Sequence, residues 1–121
     1  MTPSIGERQV ERPPGGSTQV SVCPHFHEAV ELVGRRWAGA ILWALIGRTA
    51  YFSELRAGIP EMSDRLLSRR LRELEAEGLV ERVVHPGTPA RVSYTLTETG
   101  RGLEPAMREL HDWARGRNGA G

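Results

Sequence analysis

The sequence predicts a mainly helical α+β fold that contains one small β-hairpin. Three observations point to it. Apolar residues recur at three- and four-residue spacing through most of residues 24–77, two short segments rich in β-branched residues follow at 80–84 and 91–96, and a helical pattern returns after Thr97. The chain has 121 residues, which allows one domain and hardly two. We therefore predict a single core built from several helices and one hairpin.

The composition and the N-terminal segment argue against a membrane protein and against a secreted protein. Hydrophobic residues make up 39% of the chain and charged residues 26%, and no apolar run approaches the roughly 18 residues that a bilayer span requires. The N-terminal segment lacks the apolar stretch of a secretory signal, so we expect a cytoplasmic protein without membrane contact. The single cysteine, Cys23, cannot form an intrachain disulfide or a structural zinc site by itself, and we predict neither a metal nor a cofactor.

The chain divides into three predicted parts. Residues 1–21 contain several prolines and glycines without a periodic apolar pattern, which predicts a flexible N-terminal tail. Residues 22–115 hold all the periodic segments and form the predicted domain. Residues 116–121 are expected to form a short flexible C-terminal tail.

Two helices are predicted in the first third of this domain. The first covers residues 24–33, because proline is tolerated at a first helical position and Gly34 can end the helix. The second covers residues 37–46, which are apolar almost all round, as is typical of a helix at the centre of a small domain. The stripe on the first helix that we expect to be buried consists of Phe26, Ala29, Val30 and Val33.

A helix-turn-helix is predicted next, with helices over residues 52–59 and 63–77 joined by a tight turn. The second helix is well defined at both ends. Ser63 is a favourable N-cap residue, and Gly78 can adopt the left-handed conformation that closes a helix, with Leu79 packing back on the last turn.

Two paired strands are predicted over residues 80–84 and 91–96, joined by a loop rich in proline and glycine. A hairpin after a helix-turn-helix is the layout of a winged helix-turn-helix, whose hairpin, the wing, contacts the DNA backbone or minor groove. His85 and Arg91 border the wing loop and are its predicted DNA contacts.

Thr97 is predicted to cap a final helix, which Pro105 should kink. The apolar face of this helix is larger than a monomer of this size would expose on its terminal helix, which indicates a homodimer. The residues on that face are Leu103, Met107, Leu110 and Trp113.

The helix over residues 63–77 carries the strongest functional signal. Leu67, Leu71 and Leu74 fall within about 60° of one another on the core side. The opposite side is cationic, and such a helix end can enter the DNA major groove, where guanine offers two acceptors to one guanidinium. The candidate DNA-binding residues on that side are Ser63, Arg65, Ser68, Arg69 and Arg72.

Arg65 and Arg69 are the predicted base readers. Ser68 is expected to contact a base or a phosphate, Arg72 a phosphate farther along the groove, and Ser63 a phosphate at the positive end of the helix. Arginine-rich helix faces also occur where a helix only faces solvent, and winged helices also serve as protein-interaction modules. Both alternatives stay open at this point.

Four segments of the chain resemble the HxlR-type transcriptional regulators, a MarR-like family. The segments are Cys23-Pro24, LVGRRWAGAIL from Leu32, FSELRAGIPEMSDRLLSRRLRELEAEGLVER from Phe52, and YTLTETGRGLEP from Tyr94. The resemblance covers roughly residues 22–114. It implies a homodimeric regulator that recognises a near-palindromic site in double-stranded DNA, and it supports the recognition role of the five residues named above.

The resemblance also implies that the first and last helices form the dimer contact. The predicted dimer-contact residues are therefore Phe26, Val30, Leu103, Met107, Leu110 and Trp113.

Cys23 is the candidate for regulation, because unpaired backbone N–H groups and the helix dipole at a helix N-terminus favour the nucleophilic thiolate. In several members of the similar family, the cysteine of this Cys-Pro pair senses oxidants or electrophiles through intersubunit disulfides or adducts. A structural role as a small hydrophobe is the alternative. An enzyme with Cys23 as nucleophile and His25 or His27 as base is a further alternative, but the sequence supplies no orienting third residue.

His25 and His27 form C-x-H-x-H with Cys23, and residues two apart on a helix point away from each other, so we predict no metal site there. A small-molecule effector between the dimer helices near Trp37, Trp43 and Trp113 is a further alternative for regulation. Core packing is the competing role for the first two tryptophans.

Overall fold

The computed structural model describes residues 20–119, so the predicted N-terminal tail over residues 1–21 lies almost wholly outside the described residues. The fold is the expected one, mainly helical with a small antiparallel sheet. In chain order the elements are α1 (Pro24–Val33), α2 (Ala38–Ala44), β1 (Ala50–Tyr51), α3 (Phe52–Gly58), α4 (Asp64–Ala76), β2 (Val80–His85), β3 (Arg91–Leu96), α5 (Glu98–Arg101) and α6 (Glu104–Arg117).

The core lies between α2, α3, α4 and the inner face of the sheet. Its most deeply buried side chains are all aliphatic except Met62, which lies in the turn between α3 and α4. The largest fully buried side chains are Ile41, Leu42, Leu45, Met62, Leu67, Leu71, Leu74 and Val80. No helix within residues 20–119 is both long and apolar enough to span a bilayer.

The second helix, α2, is central as predicted but shorter than residues 37–46. It begins at Ala38 because Trp37 adopts the left-handed conformation, with φ of 74°. Gly47 takes the same conformation after the last turn, with φ of 72°. The prediction of core packing is confirmed for Trp37, which is half-buried against the core, and it is wrong for Trp43, which remains 38% exposed.

The predicted hairpin is confirmed, since β2 and β3 pair from Val80 opposite Leu96 to His85 opposite Arg91. The sheet also contains a third strand, which the sequence does not predict. This strand, β1, has two residues and pairs with β3 on the side away from β2, which gives the order β1-β3-β2. Two residues are too few to show the alternation by which a strand is found in a sequence.

The prediction of one final helix kinked at Pro105 is wrong. Thr97 caps a separate short helix, α5, by accepting a hydrogen bond from the Gly100 N–H at 3.0 Å. The longer α6 begins at Glu104, and Pro105 lies in its first turn, where the missing N–H has no helical partner to lose. α6 continues to Arg117, two residues beyond the domain boundary predicted at 115, and residues 120 and 121 lie outside the described part.

α1 has the predicted bounds, but the expectation of a buried stripe does not hold within one chain. None of its residues is buried. Leu32 and Val33 at its C-terminal end are half-buried against the core, whereas Phe26 is 68% exposed and Val30 is 44% exposed. An amphipathic helix that attaches only by its end leaves its apolar face available to another surface.

Gly100 joins α5 closely to the segment that follows α4. A Cβ placed on Gly100 would lie 2.1 Å from the carbonyl oxygen of Leu79, which also accepts a hydrogen bond from the Thr97 N–H at 3.0 Å. The Thr97 hydroxyl donates to the Gly78 carbonyl at 2.6 Å. Only glycine therefore permits this approach of two backbones.

Gly100→Ala should lower the free energy of unfolding by about 1–3 kcal/mol, because the added methyl group overpacks against a backbone carbonyl. Urea unfolding followed by circular dichroism measures this change. Gly58→Ala is the matched control, since no atom lies within 4 Å of its added Cβ, and its stability should stay the same or rise by up to about 1 kcal/mol. An equal loss of unfolding free energy in the two variants would contradict the close approach of Gly100 to the Leu79 carbonyl.

Candidate nucleic-acid interface

Leucine burial decides which side of α4 faces outward. Leu67, Leu71 and Leu74 are at most 1% exposed and lie on one side of the helix. Arg65, Arg69 and Arg72 are exposed on the opposite side, and we call these three residues the arginine face. Within residues 20–119 no carboxylate forms an ion pair with any of them. Three cationic groups thus share one helix surface without internal neutralisation.

Arg70, the fourth arginine of this segment, has a different role. Its Nε donates to the Arg36 carbonyl at 2.9 Å, and its Nη1 donates to Glu73 Oε1 at 3.1 Å. Only 18% of its side chain is exposed. Arg70 therefore ties α4 to the segment between α1 and α2, and the neighbouring Arg69 is left free to contact a partner.

The N-terminus of α4 is fixed by two contacts. The Ser63 hydroxyl accepts the Leu66 N–H at 3.1 Å, as predicted for an N-cap. The Arg56 guanidinium of α3 forms an ion pair with Asp64, which joins the two helices at the turn. Ser68 lies half-buried at the edge of the arginine face. Contacts of Ser63 and Ser68 with DNA stay predictions.

The C-terminus of α4 closes with the predicted Schellman motif. Gly78 has φ of 77°. The Leu79 N–H donates to the Leu74 carbonyl at 3.0 Å, and the Gly78 N–H donates to the Glu75 carbonyl at 3.0 Å. Leu79 is then 5% exposed, so the chain enters β2 directly from the core. The wing is thereby attached to the helix that carries the arginine face.

At the wing, both predicted DNA contacts interact with other side chains. The Arg91 guanidinium carbon lies 3.5 Å from the centroid of the Tyr51 ring. His85 Nε2 is 2.8 Å from Ser93 Oγ, and its ring meets the Tyr51 ring edge-on at 5.6 Å. Sequence reasoning missed Tyr51, because the strand that places it beside the wing gave no signal of its own.

The predicted dimer-contact residues divide into two groups. Leu103 and Met107 are half-buried and pack against the core of the same chain. The remaining four are exposed, and we call them the apolar face of α1 and α6. They are Phe26 at 68%, Val30 at 44%, Leu110 at 62% and Trp113 at 62% exposure.

α6 contacts α2 through a stack of two rings. Trp43 and His111 lie 4.4 Å apart between ring centroids, with an angle of 11° between their planes. Together with the packing of Leu103 and Met107, this stack attaches α6 to the body of the domain. A small-molecule effector near the tryptophans stays a prediction.

Cys23 is exposed and immediately precedes α1. Its carbonyl accepts the His27 N–H at 2.9 Å, so the thiol stands at the first turn of a helix that also carries Phe26 and Val30. In the part of the chain that the structure describes, no group of three or more His, Cys, Asp or Glu side chains is arranged to hold a metal ion.

Comparison with known proteins identifies the family. The model of the HxlR-like helix-turn-helix family matches residues 32–119. The chain belongs to this family. The HTH-type transcriptional regulator YvaP of Bacillus subtilis is 44% identical over 96 residues, which cover 79% of this chain and 89% of YvaP. YodB of the same bacterium, also an HTH-type transcriptional regulator, is 42% identical over 94 residues, which cover 78% of this chain and 84% of YodB.

Solved structures agree with this assignment. The reduced form of YodB is similar with a TM-score of 0.70 and 41% identity, covering 78% of this chain and 93% of that one. The reduced form of the redox regulator HypR has a TM-score of 0.75 and 34% identity, with 78% and 93% covered. YodB has also been solved after diamide treatment and with bound quinone. This member of the HxlR-like family is a transcriptional regulator with a helix-turn-helix, and not an enzyme.

Proposed function

We propose that this regulator binds a near-palindromic site in double-stranded DNA as a homodimer and reads the major groove with α4. The observation that carries the proposal is the arginine face, whose three guanidinium groups are exposed and have no carboxylate partner among residues 20–119. Each group is available for the bidentate contacts that arginine makes with guanine or phosphate.

The positions of these residues support different roles in the groove. Arg65 and Arg69 lie in the first two turns of α4, the part of a recognition helix that contacts base edges. Arg72 lies one turn farther and is suited to a phosphate, as is the capped N-terminus at Ser63. Ser68 flanks them. Arg91 and His85 border the wing loop and supply a second region of contact, where His85 Nε2 lies 2.8 Å from Ser93 Oγ.

The apolar face of α1 and α6 supports the homodimer. Two large aromatic side chains, Phe26 and Trp113, are each more than half exposed in one chain, and leaving such groups in water is unfavourable. In a two-fold dimer the same residues of both chains take part in the contact, so a second copy would cover the exposed residues of α1 and of α6. Two copies of α4 would then read half-sites about 34 Å apart, one turn of DNA.

Control through the thiol of Cys23 is the second part of the proposal. Cys23 is exposed at the start of α1, which contributes Phe26 and Val30 to the apolar face. Oxidation or alkylation there would therefore act on the surface that sets the spacing of the two α4 helices. The similar regulators YodB and HypR are known in diamide-treated, quinone-bound and oxidised forms, which supports an oxidant or electrophile as the signal.

Replacing arginines in α4 separates recognition from folding. Arg69→Ala should reduce the preference for a duplex selected from a random pool by about 1–3 kcal/mol at fixed salt, without changing the melting temperature. The matched control is Arg70→Ala, which removes the same charge one position away. It should lower the melting temperature, because the hydrogen bonds of Arg70 to the Arg36 carbonyl and to Glu73 are lost, and should leave sequence preference intact. An unchanged preference in Arg69→Ala would favour a protein-interaction module.

Disrupting the apolar face should dissociate the dimer. Sedimentation at micromolar concentration should give twice the 13.4 kDa mass of one chain, and Trp113→Glu should give the mass of one chain because a charge would be buried at the contact. Val84→Glu is the control, since Val84 is 50% exposed on the wing and outside this face. A monomeric wild-type protein would exclude the symmetric site.

Diamide should weaken binding to the selected duplex in the wild type and have no effect on Cys23→Ser. Because Cys23 is the only cysteine of the chain, oxidation by diamide joins two chains, with two thiols losing two protons and two electrons. A non-reducing gel should show this dimer only for the wild type. Equal responses of the two proteins would show that the thiol is not the sensor.

A further inference from the structure

The outer face of the wing carries a small cluster of polar and aromatic side chains. Tyr51 lies directly opposite Ser93 in the β1–β3 pair, and His85 lies directly opposite Arg91 in the β2–β3 pair. Directly opposed residues share one face of a sheet, and so do residues two apart on one strand. The pairing therefore places all four side chains on the face away from the buried Tyr94.

This cluster is packed, although it lies on the outer face. Ser93 is only 3% exposed, and its hydroxyl is 2.8 Å from His85 Nε2. The His85 ring meets the edge of the Tyr51 ring, and the Arg91 guanidinium lies over the face of the same ring. Tyr51 thus contacts both side chains that border the wing loop.

Stacking on the Tyr51 ring restrains the Arg91 side chain, the most flexible of the four. An arginine side chain loses much conformational freedom when it is fixed by a ligand, and a guanidinium already held in place loses less. At 3.5 Å above the ring centroid, the Arg91 guanidinium is close enough for cation–π attraction. Among residues 20–119, no carboxylate forms an ion pair with Arg91 that would occupy its donors.

We propose that Tyr51 is a positioning residue for DNA binding, whose ring holds the Arg91 guanidinium so that it donates to one backbone phosphate. The inference rests on the proposed function. A phosphate fits better than a base edge, because Arg91 is the first residue of β3 and lies against the sheet instead of extending from the tip of the wing loop.

A double-mutant cycle tests this role with Tyr51→Ile, Arg91→Ala and the two combined. Isoleucine suits a strand and still covers Ser93, and the Tyr51 N–H keeps its bond to Glu54 Oε1 at 2.8 Å. Tyr51→Ile should weaken binding to the selected duplex about two- to fivefold, the value of an exposed cation–π contact. In the Arg91→Ala background it should have no further effect. Tyr51→Phe, which keeps the ring, should bind like the wild type.

Salt dependence provides the readout that a purely structural role would not change. Arg91→Ala should reduce the slope of log affinity against log salt concentration by about 0.9, as expected for one lost phosphate contact. Its loss of affinity should be the same for the selected duplex and for an unrelated one, because a phosphate contact carries no sequence information. Fluorescence anisotropy over a series of salt concentrations measures both quantities.

Two results would overturn the inference. Equal weakening by Tyr51→Ile with and without Arg91 would show that Tyr51 acts only through the fold of the wing. An unchanged salt slope in Arg91→Ala would show that Arg91 contacts no phosphate. If Arg69→Ala still reduces the preference for the selected duplex, either result leaves the proposed function intact. If Arg69→Ala leaves that preference unchanged, the proposed function itself is wrong.

Discussion

Burial of the leucine stripe fixes the rotation of α4 about its own axis, and the outward position of the arginine face depends on that rotation. Leu67, Leu71 and Leu74 are almost completely removed from water, which is worth about 1.5–3 kcal/mol for each side chain. A surface ion pair contributes at most about 1 kcal/mol, so no contact of the opposite arginines could turn the helix over. The arginine face therefore points outward without any interaction of its own.

The two ends of α4 connect this face to the rest of the molecule. The N-cap at Ser63 and the ion pair of Asp64 fix the turn after α3, while the Schellman motif leads into β2. The backbone of Gly100 lies close to the Leu79 carbonyl, so α5 packs against the junction between α4 and β2. Helix and wing are consequently held in one arrangement before a partner arrives, which reduces the entropy lost on binding.

Local chemistry explains which features the sequence could predict. α4 has a capping residue, a terminal glycine and a periodic stripe of leucines, so both its bounds and its faces follow from the sequence alone. Helical periodicity also places Arg69 on the outer side and Arg70 beside the leucine stripe, but the hydrogen bond of Arg70 to the distant Arg36 carbonyl leaves no local signal in the sequence. The contact of Tyr51 with Arg91 likewise depends on pairing between strands far apart in the chain, which no local pattern records.

On α4 the leucines hold the fold and the arginine face does not, which has an evolutionary consequence. Arg65, Arg69 and Arg72 hold nothing else in place within the described residues, and substitutions at such surface positions usually change stability by less than about 0.5 kcal/mol. Under the proposed function, a duplicated gene can therefore exchange these side chains, and so its DNA preference, at little cost in stability. Each intermediate variant along that route would keep the leucine stripe, and with it the fold of α4.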